Sequence, residues 1–117
     1  MAQAALITTR LELDHAFDAS TRQPVLIFKH SLICPLSTAA HQTYQAFLGG
    51  REANGVLYTL IEIQNAREIS SEVARRTGIR HESPQAVLLR DGRAVWNASH
   101  WDISLEALEQ AVVGAGS

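Results

Sequence analysis

VLIFKHSLICPLS, residues 25–37, runs an apolar strand into the only cysteine of a 117-residue chain and then into a helix. Val25 to Phe28 is apolar without alternation, the pattern of a strand covered on both faces of a central sheet, and Gln23-Pro24 ends whatever precedes it. Pro35 suits the first helical position, where its missing N–H costs nothing. The helix continues from Leu36 to Leu48, with Leu36, Ala39, Ala40, Tyr44 and Phe47 or Leu48 at core-facing spacings, until Gly49-Gly50 stops it. Cys34 therefore stands where a strand becomes a helix, against unbonded N–H groups and the positive end of the helix dipole, which favour a thiolate. With no second cysteine in the chain, any disulfide it forms takes its other sulfur from elsewhere.

Outward from this stretch the elements fall in a simple order. Upstream, Ala4 to Thr8 is a short apolar run, and Thr9 with Glu12 is a capping-box signal for a helix over Arg10 to Ala19, with Leu13, Ala16 and Phe17 on one face. Downstream, Val56 to Ile63 (VLYTLIEI) has the β-branched and aromatic content of a second central strand, parallel to the first. A helix follows between Asn65 and Gly78, capped by Asn65 or by Ser70 and closed by Gly78 in a left-handed conformation. Gln85 to Arg90 and Arg93 to Ala98, joined by Asp91-Gly92, form a hairpin. Ser104 with Glu106 starts a last helix to about Val113, ahead of a frayed tail from Gly114 to Ser117. The order β-α-β-α-β-α-β-β-α predicts one α/β domain over residues 1–117 with a thioredoxin-like fold, a mixed sheet of about five strands flanked by helices. Ligand chemistry in open α/β sheets gathers at strand ends such as the one before Cys34.

Composition excludes several functions. A net charge of −2 with both signs intermixed offers no basic field for nucleic acid. No run approaches the ~20 apolar residues of a membrane span, and no signal peptide is recognisable. A lone cysteine fits a reducing compartment, so the expected location is cytoplasmic. Nine of the ten cationic residues are arginine and Lys29 is the only lysine, which singles it out five positions before the cysteine.

Ser37 occupies the place where a dithiol enzyme carries its second cysteine. It is placed to turn its hydroxyl and N–H toward the sulfur, yet it cannot resolve a mixed disulfide. The acid found six positions before the first cysteine in dithiol thioredoxins is replaced here by Phe28. Pro84, before the fourth strand, is expected to be cis and opposite the cysteine, exposing the backbone of Ser83 to a bound substrate. The five histidines supply no compact four-ligand cluster, so no metal site is expected. An iron–sulfur carrier is disfavoured by Pro35, and a Cys-His hydrolase lacks an identifiable oxyanion element.

The segments FKHSLICPLS, HESPQ and WNASHWDIS resemble the YtxJ family of the bacillithiol redox system, the monothiol bacilliredoxins, over nearly the whole chain. The family pattern has Thr before the cysteine and Ile after Pro; this chain has Ile33 and Leu36. The resemblance implies that Cys34, with Pro35 and Ser37 as its catalytic surroundings, removes bacillithiol from S-bacillithiolated proteins and carries it until an external low-molecular-weight thiol frees the cysteine. Bacillithiol is then a co-substrate, with no permanently bound cofactor, and the protein acts as a monomer or weak dimer. Its malate carboxylates call for cations and donors, for which Lys29 and His81 are favoured, with His30 as a further candidate. Ser83 and Pro84 would pair with the substrate, and Ser99, His100 and Trp101, after the last strand, would hold the small thiol. The non-enzymatic alternative is a thioredoxin-fold binding or redox-sensing protein whose Cys34 forms mixed disulfides without turnover.

Overall fold

A computed structural model of the chain describes residues 2–51 and 55–116. In chain order the elements are β1 (Ala5–Leu6), α1 (Arg10–Ala19), β2 (Val25–His30), α2 (Pro35–Gly49), β3 (Leu57–Glu62), α3 (Arg67–Thr77), β4 (Gln85–Arg90), β5 (Arg93–Ser99) and α4 (Leu105–Gly116), with 3-10 turns at Ile63–Asn65 and His100–Asp102. The sheet order is β1-β3-β2-β4-β5. β2 lies at its centre, parallel to β3 and antiparallel to β4. This is the α/β thioredoxin-like arrangement expected from the element order.

Successive residues of a strand face opposite sides of the sheet, and β2 divides the core on this rule. Leu26 and Phe28 pack with Tyr44 of α2 and Leu108 of α4. Val25 and Ile27 pack with Leu13 of α1 and Val73 of α3. Tyr44 fixes α2 in register, stacking on Phe28 at 4.7 Å and donating its hydroxyl to the Thr59 carbonyl at 3.0 Å. On α2, Ala40, Tyr44, Phe47 and Leu48 are buried, whereas Ala39 is exposed and Leu36 only half-buried, a narrower stripe than its periodicity predicts.

Local signals set most element ends. The capping box of α1 forms, with Thr9 Oγ1 accepting from the Glu12 N–H at 3.1 Å and Glu12 Oε1 accepting from the Thr9 N–H at 3.0 Å. Asp91 and Gly92 both have positive φ, 55° and 75°, as the tight turn of a right-twisted hairpin requires. Gly78 closes α3 at φ 73°. Several boundaries differ from expectation, three of them for identifiable reasons. β2 continues through Lys29 and His30. The cap of α3 is Ala66, with no side-chain hydrogen bond, because Asn65 instead donates to Glu62 at 3.3 Å and Ser70 lies buried within the helix. α4 extends to Gly116, since Ala111, Val112 and Ala115 still pack on the core and tertiary contact outweighs the weak helix propensity of Gly114.

An ion cluster straps α1 to α3. Glu72 pairs with Arg75, with Arg76 Nε at 2.8 Å and with Arg10 Nη2 at 3.2 Å, while Arg76 reaches Asp14 at 2.6 Å. The Arg75 and then the Arg76 guanidinium lower the Glu72 carboxyl to about 2. A depressed carboxylate stabilises the fold above its unfolded value, and that contribution disappears as pH falls toward the folded one. Glu72→Gln should therefore lower the melting temperature at pH ~7 and lower it by clearly less at pH ~2.5, the gap closing only as pH falls through the folded value. An equal gap at both pH values would show that the cluster contributes nothing through ionisation.

Candidate active site

Cys34 is the N-cap of α2, in extended conformation (φ −101°, ψ 120°) and partly exposed. Its carbonyl accepts from the Thr38 N–H at 3.0 Å and from Thr38 Oγ1 at 3.3 Å, while its side chain makes no capping hydrogen bond. The first helical hydrogen bond is thus made by the backbone, and the sulfur takes no part in it. Gln64, just past β3, ties the approach to the cysteine: its Oε1 accepts from the Leu32 N–H at 2.8 Å and its Nε2 donates to Ser31 Oγ at 2.9 Å. Ile33, 80% exposed, and Pro35 flank the sulfur at the surface.

Ser37 is fully buried behind the cysteine. Its hydroxyl accepts from the Ser31 N–H at 2.8 Å and lies 2.8 Å from His30 Nδ1. His30 stacks on His41, with ring centroids 4.3 Å apart. Burial, then the neighbouring His41, hold the His30 imidazole below its ordinary range, with Glu62 opposing. A neutral His30 with Nδ1 unprotonated accepts a hydrogen bond from the Ser37 hydroxyl. The expectation that Ser37 faces the sulfur is corrected: its hydroxyl is spent on two interior polar groups that water cannot reach. His30 likewise is nearly buried and occupied by Ser37, so it serves the interior rather than a ligand.

Beyond the end of β2, the Ser83-Pro84 peptide bond is cis. The β2–β4 register, Lys29 opposite Gln85, carried on by two residues brings Ser83-Pro84 alongside His30-Ser31. The Pro84 carbonyl accepts from the His100 N–H at 3.1 Å, and His100 Nδ1 is 3.2 Å from Glu82 Oε2. Among the described residues nothing bonds the hydroxyl or the backbone of Ser83. Ser99 closes β5 opposite Gln85. Trp101, 83% exposed, helps form a small groove of about 130 Å³ against α2, lined by Leu36, Ala39, Thr43 and His100 among others. His100 and Trp101 therefore lie against α2, with the Pro84 carbonyl bonded to the His100 N–H and Ser99 next to His100 in the chain.

Lys29 does not join them. It is 0% exposed and faces α3, on the opposite side of the sheet from His30. Its Nζ lies 3.2 Å from His81 Nδ1, which is also 3.3 Å from Ser70 Oγ. Burial lowers the ammonium to about 8. The expectation that Lys29 meets a ligand carboxylate is overturned, because an ammonium enclosed by the sheet and α3 has no surface to offer one. His81 is exposed but uses its Nδ1 on the same inward contact.

Residues 5–108 match the family model of the monothiol bacilliredoxin BrxC. The chain belongs to the monothiol bacilliredoxin family. A solved structure described as an oxidoreductase with a thioredoxin fold is 31% identical over 92% of this chain and 92% of its own, with a TM-score of 0.80. The thioredoxin of Malassezia sympodialis, 14% identical over 100% of this chain and 94% of its own, superposes with a TM-score of 0.79. A mutant thioredoxin of Halobacterium salinarum gives 0.75 at 16% identity over 98% of this chain and 92% of its own. Bacilliredoxin family and thioredoxin fold together make the chemistry of this site that of a thiol oxidoreductase.

Within this bacilliredoxin, the sequence reading missed four residues that shape the site. His41 had a signal, since it lies four positions after Ser37 on the same helical face. Gln64, Ser70 and Glu82 had none, because their partners Leu32, His81 and His100 lie 11 to 32 positions away in the chain. Among the described residues no three His, Cys, Asp or Glu side chains converge as a metal site.

Proposed function

We propose that this bacilliredoxin removes bacillithiol from proteins through Cys34. The thiolate attacks the bacillithiol sulfur of a protein mixed disulfide. A new Cys34–bacillithiol disulfide forms, the original S–S bond breaks, and the protein sulfur leaves as a thiolate that takes up a proton. A second low-molecular-weight thiol then attacks the adduct and releases Cys34 as a thiolate. The observation that carries this reading is an unpartnered sulfur at the start of α2 together with an unpartnered Ser83, which the strand register carries alongside Ser31, three residues before the cysteine. The Ser83 N–H and carbonyl suit the amide of the bound thiol, and His100 and Trp101 border the groove next to it.

Ser37 buried in the resolving position explains why the adduct persists until an outside thiol arrives. A reducing cytoplasm supplies that thiol, and no described helix is long and apolar enough to cross a membrane. Mixing the protein with a bacillithiolated reporter and following intact masses provides the test. Bacillithiol should move to Cys34 in the parent and not at all in Cys34→Ser, and a thiol reductant should then restore the free cysteine. Labelling of Cys34 by small disulfides without transfer from the reporter would favour the redox-sensing alternative.

A further inference from the structure

The chain's one lysine is buried at the end of the central strand, on the face away from Ser37, and the transfer chemistry makes no use of it. What it touches is the segment between α3 and β4. Besides the ties from His100 to Glu82 and Pro84, three contacts hold that segment. Lys29 Nζ lies 3.2 Å from His81 Nδ1, Ser70 Oγ lies 3.3 Å from the same nitrogen, and Gln85 Nε2 donates to the Arg80 carbonyl at 3.0 Å. Gln85, opposite Lys29 in the antiparallel register, shares its face of the sheet and is 1% exposed. One strand, one helix and the next strand thus converge on Arg80 and His81, two residues ahead of Ser83. Ser83 itself has no hydrogen bond among the described residues, so its placement depends on its neighbours.

We propose that Lys29 is a positioning residue: acting through His81, it fixes the segment 80–83 in the conformation that presents Ser83 to the thiol ligand. The role rests on the bacillithiol reading above, and it replaces a direct contact between Lys29 and ligand. A segment held in its binding conformation for only part of the time weakens apparent affinity by that fraction, so the signature of a lost tie is a raised KM at an unchanged kcat. The tie also depends on pH. Once His81 is protonated its Nδ1 becomes a donor facing the Lys29 ammonium, with Ser70 and Gln85 uncharged and only Glu82 in opposition.

Lys29→Met keeps the buried volume without the donor, and His81→Phe removes the acceptor. Each should raise KM for a bacillithiolated reporter about tenfold, the fold-change one charge-assisted hydrogen bond represents. kcat should stay within about twofold, and the double variant should be no worse than the worse single one. Parent KM should rise as pH falls below the imidazole range, and Lys29→Met should lose that rise. Amide order parameters of Arg80 to Ser83 should drop in both variants and hold elsewhere. Multiplying effects, a fall in kcat alone, or unchanged order parameters would overturn the assignment. If the parent transfers no bacillithiol, the functional reading fails, and the order parameters, which need no substrate, decide the role of Lys29.

Discussion

Phe28→Asp should lower the stability of the fold by at least about 4 kcal/mol, out of the ~5–15 kcal/mol usual for a domain. The substitution places an acid where dithiol thioredoxins carry one. Phe28 is 0% exposed, stacks on Tyr44 at 4.7 Å and lies 6.1 Å from His41. Shortening it leaves a cavity against α2, and an ionised carboxylate there has no cation to pair with, because Lys29 points to the other side of the sheet. Burial of this kind raises a carboxyl pKa, so the penalty should be greatest at pH ~7 and shrink toward pH ~4, as the group becomes protonated in both states. Urea unfolding at the two pH values measures both effects. A loss under about 1.5 kcal/mol, or one independent of pH, would mean that the cluster between β2 and α2 is far more polar than these contacts indicate.

Ser37→Ala comes next, with an expected cost of about 2–4 kcal/mol, because it strands two interior groups at once. The Ser31 N–H and His30 Nδ1 both lose their partner at 2.8 Å, in a region where Ser31 and His30 are each 6% exposed. The loop to the cysteine loosens with them, so thiol–disulfide exchange at Cys34 should also slow. Thr38→Ala is the control: Thr38 lies one residue further along the same turn but is exposed, and its hydroxyl bonds only the Cys34 carbonyl. Denaturant midpoints of the two variants that coincide would show the Ser37 network to be dispensable.

What could be read from the chain was local. The Thr9–Glu12 box, the Asp91-Gly92 turn, the unbroken apolar run at Val25 and the Pro after Cys34 each act within a few residues, and each element they predict is present. The site was legible in its sulfur and its prolines and misleading in its charges. Lys29 and His30 are adjacent in sequence, and both stand a few residues before Cys34. Once β2 runs two residues further than Phe28, the two-residue period of a strand sends them to opposite faces. The same alternation explains why Ser37, taken for a neighbour of the sulfur, is a neighbour of His30. Gln64 and Ser70 carry no local mark, since their value comes from a strand and a helix folding back onto residues far along the chain.

The N-cap of α2 has one more consequence. The helix is begun by the Cys34 carbonyl and not by its sulfur, so adding a thiol to the side chain disturbs no bond that holds the fold. Free and thiol-bearing forms should give nearly the same amide spectrum away from the cysteine. The oxidation state is then recorded in a single covalent bond with no change of shape to announce it. Whatever next reacts with the loaded protein has to recognise the attached thiol itself.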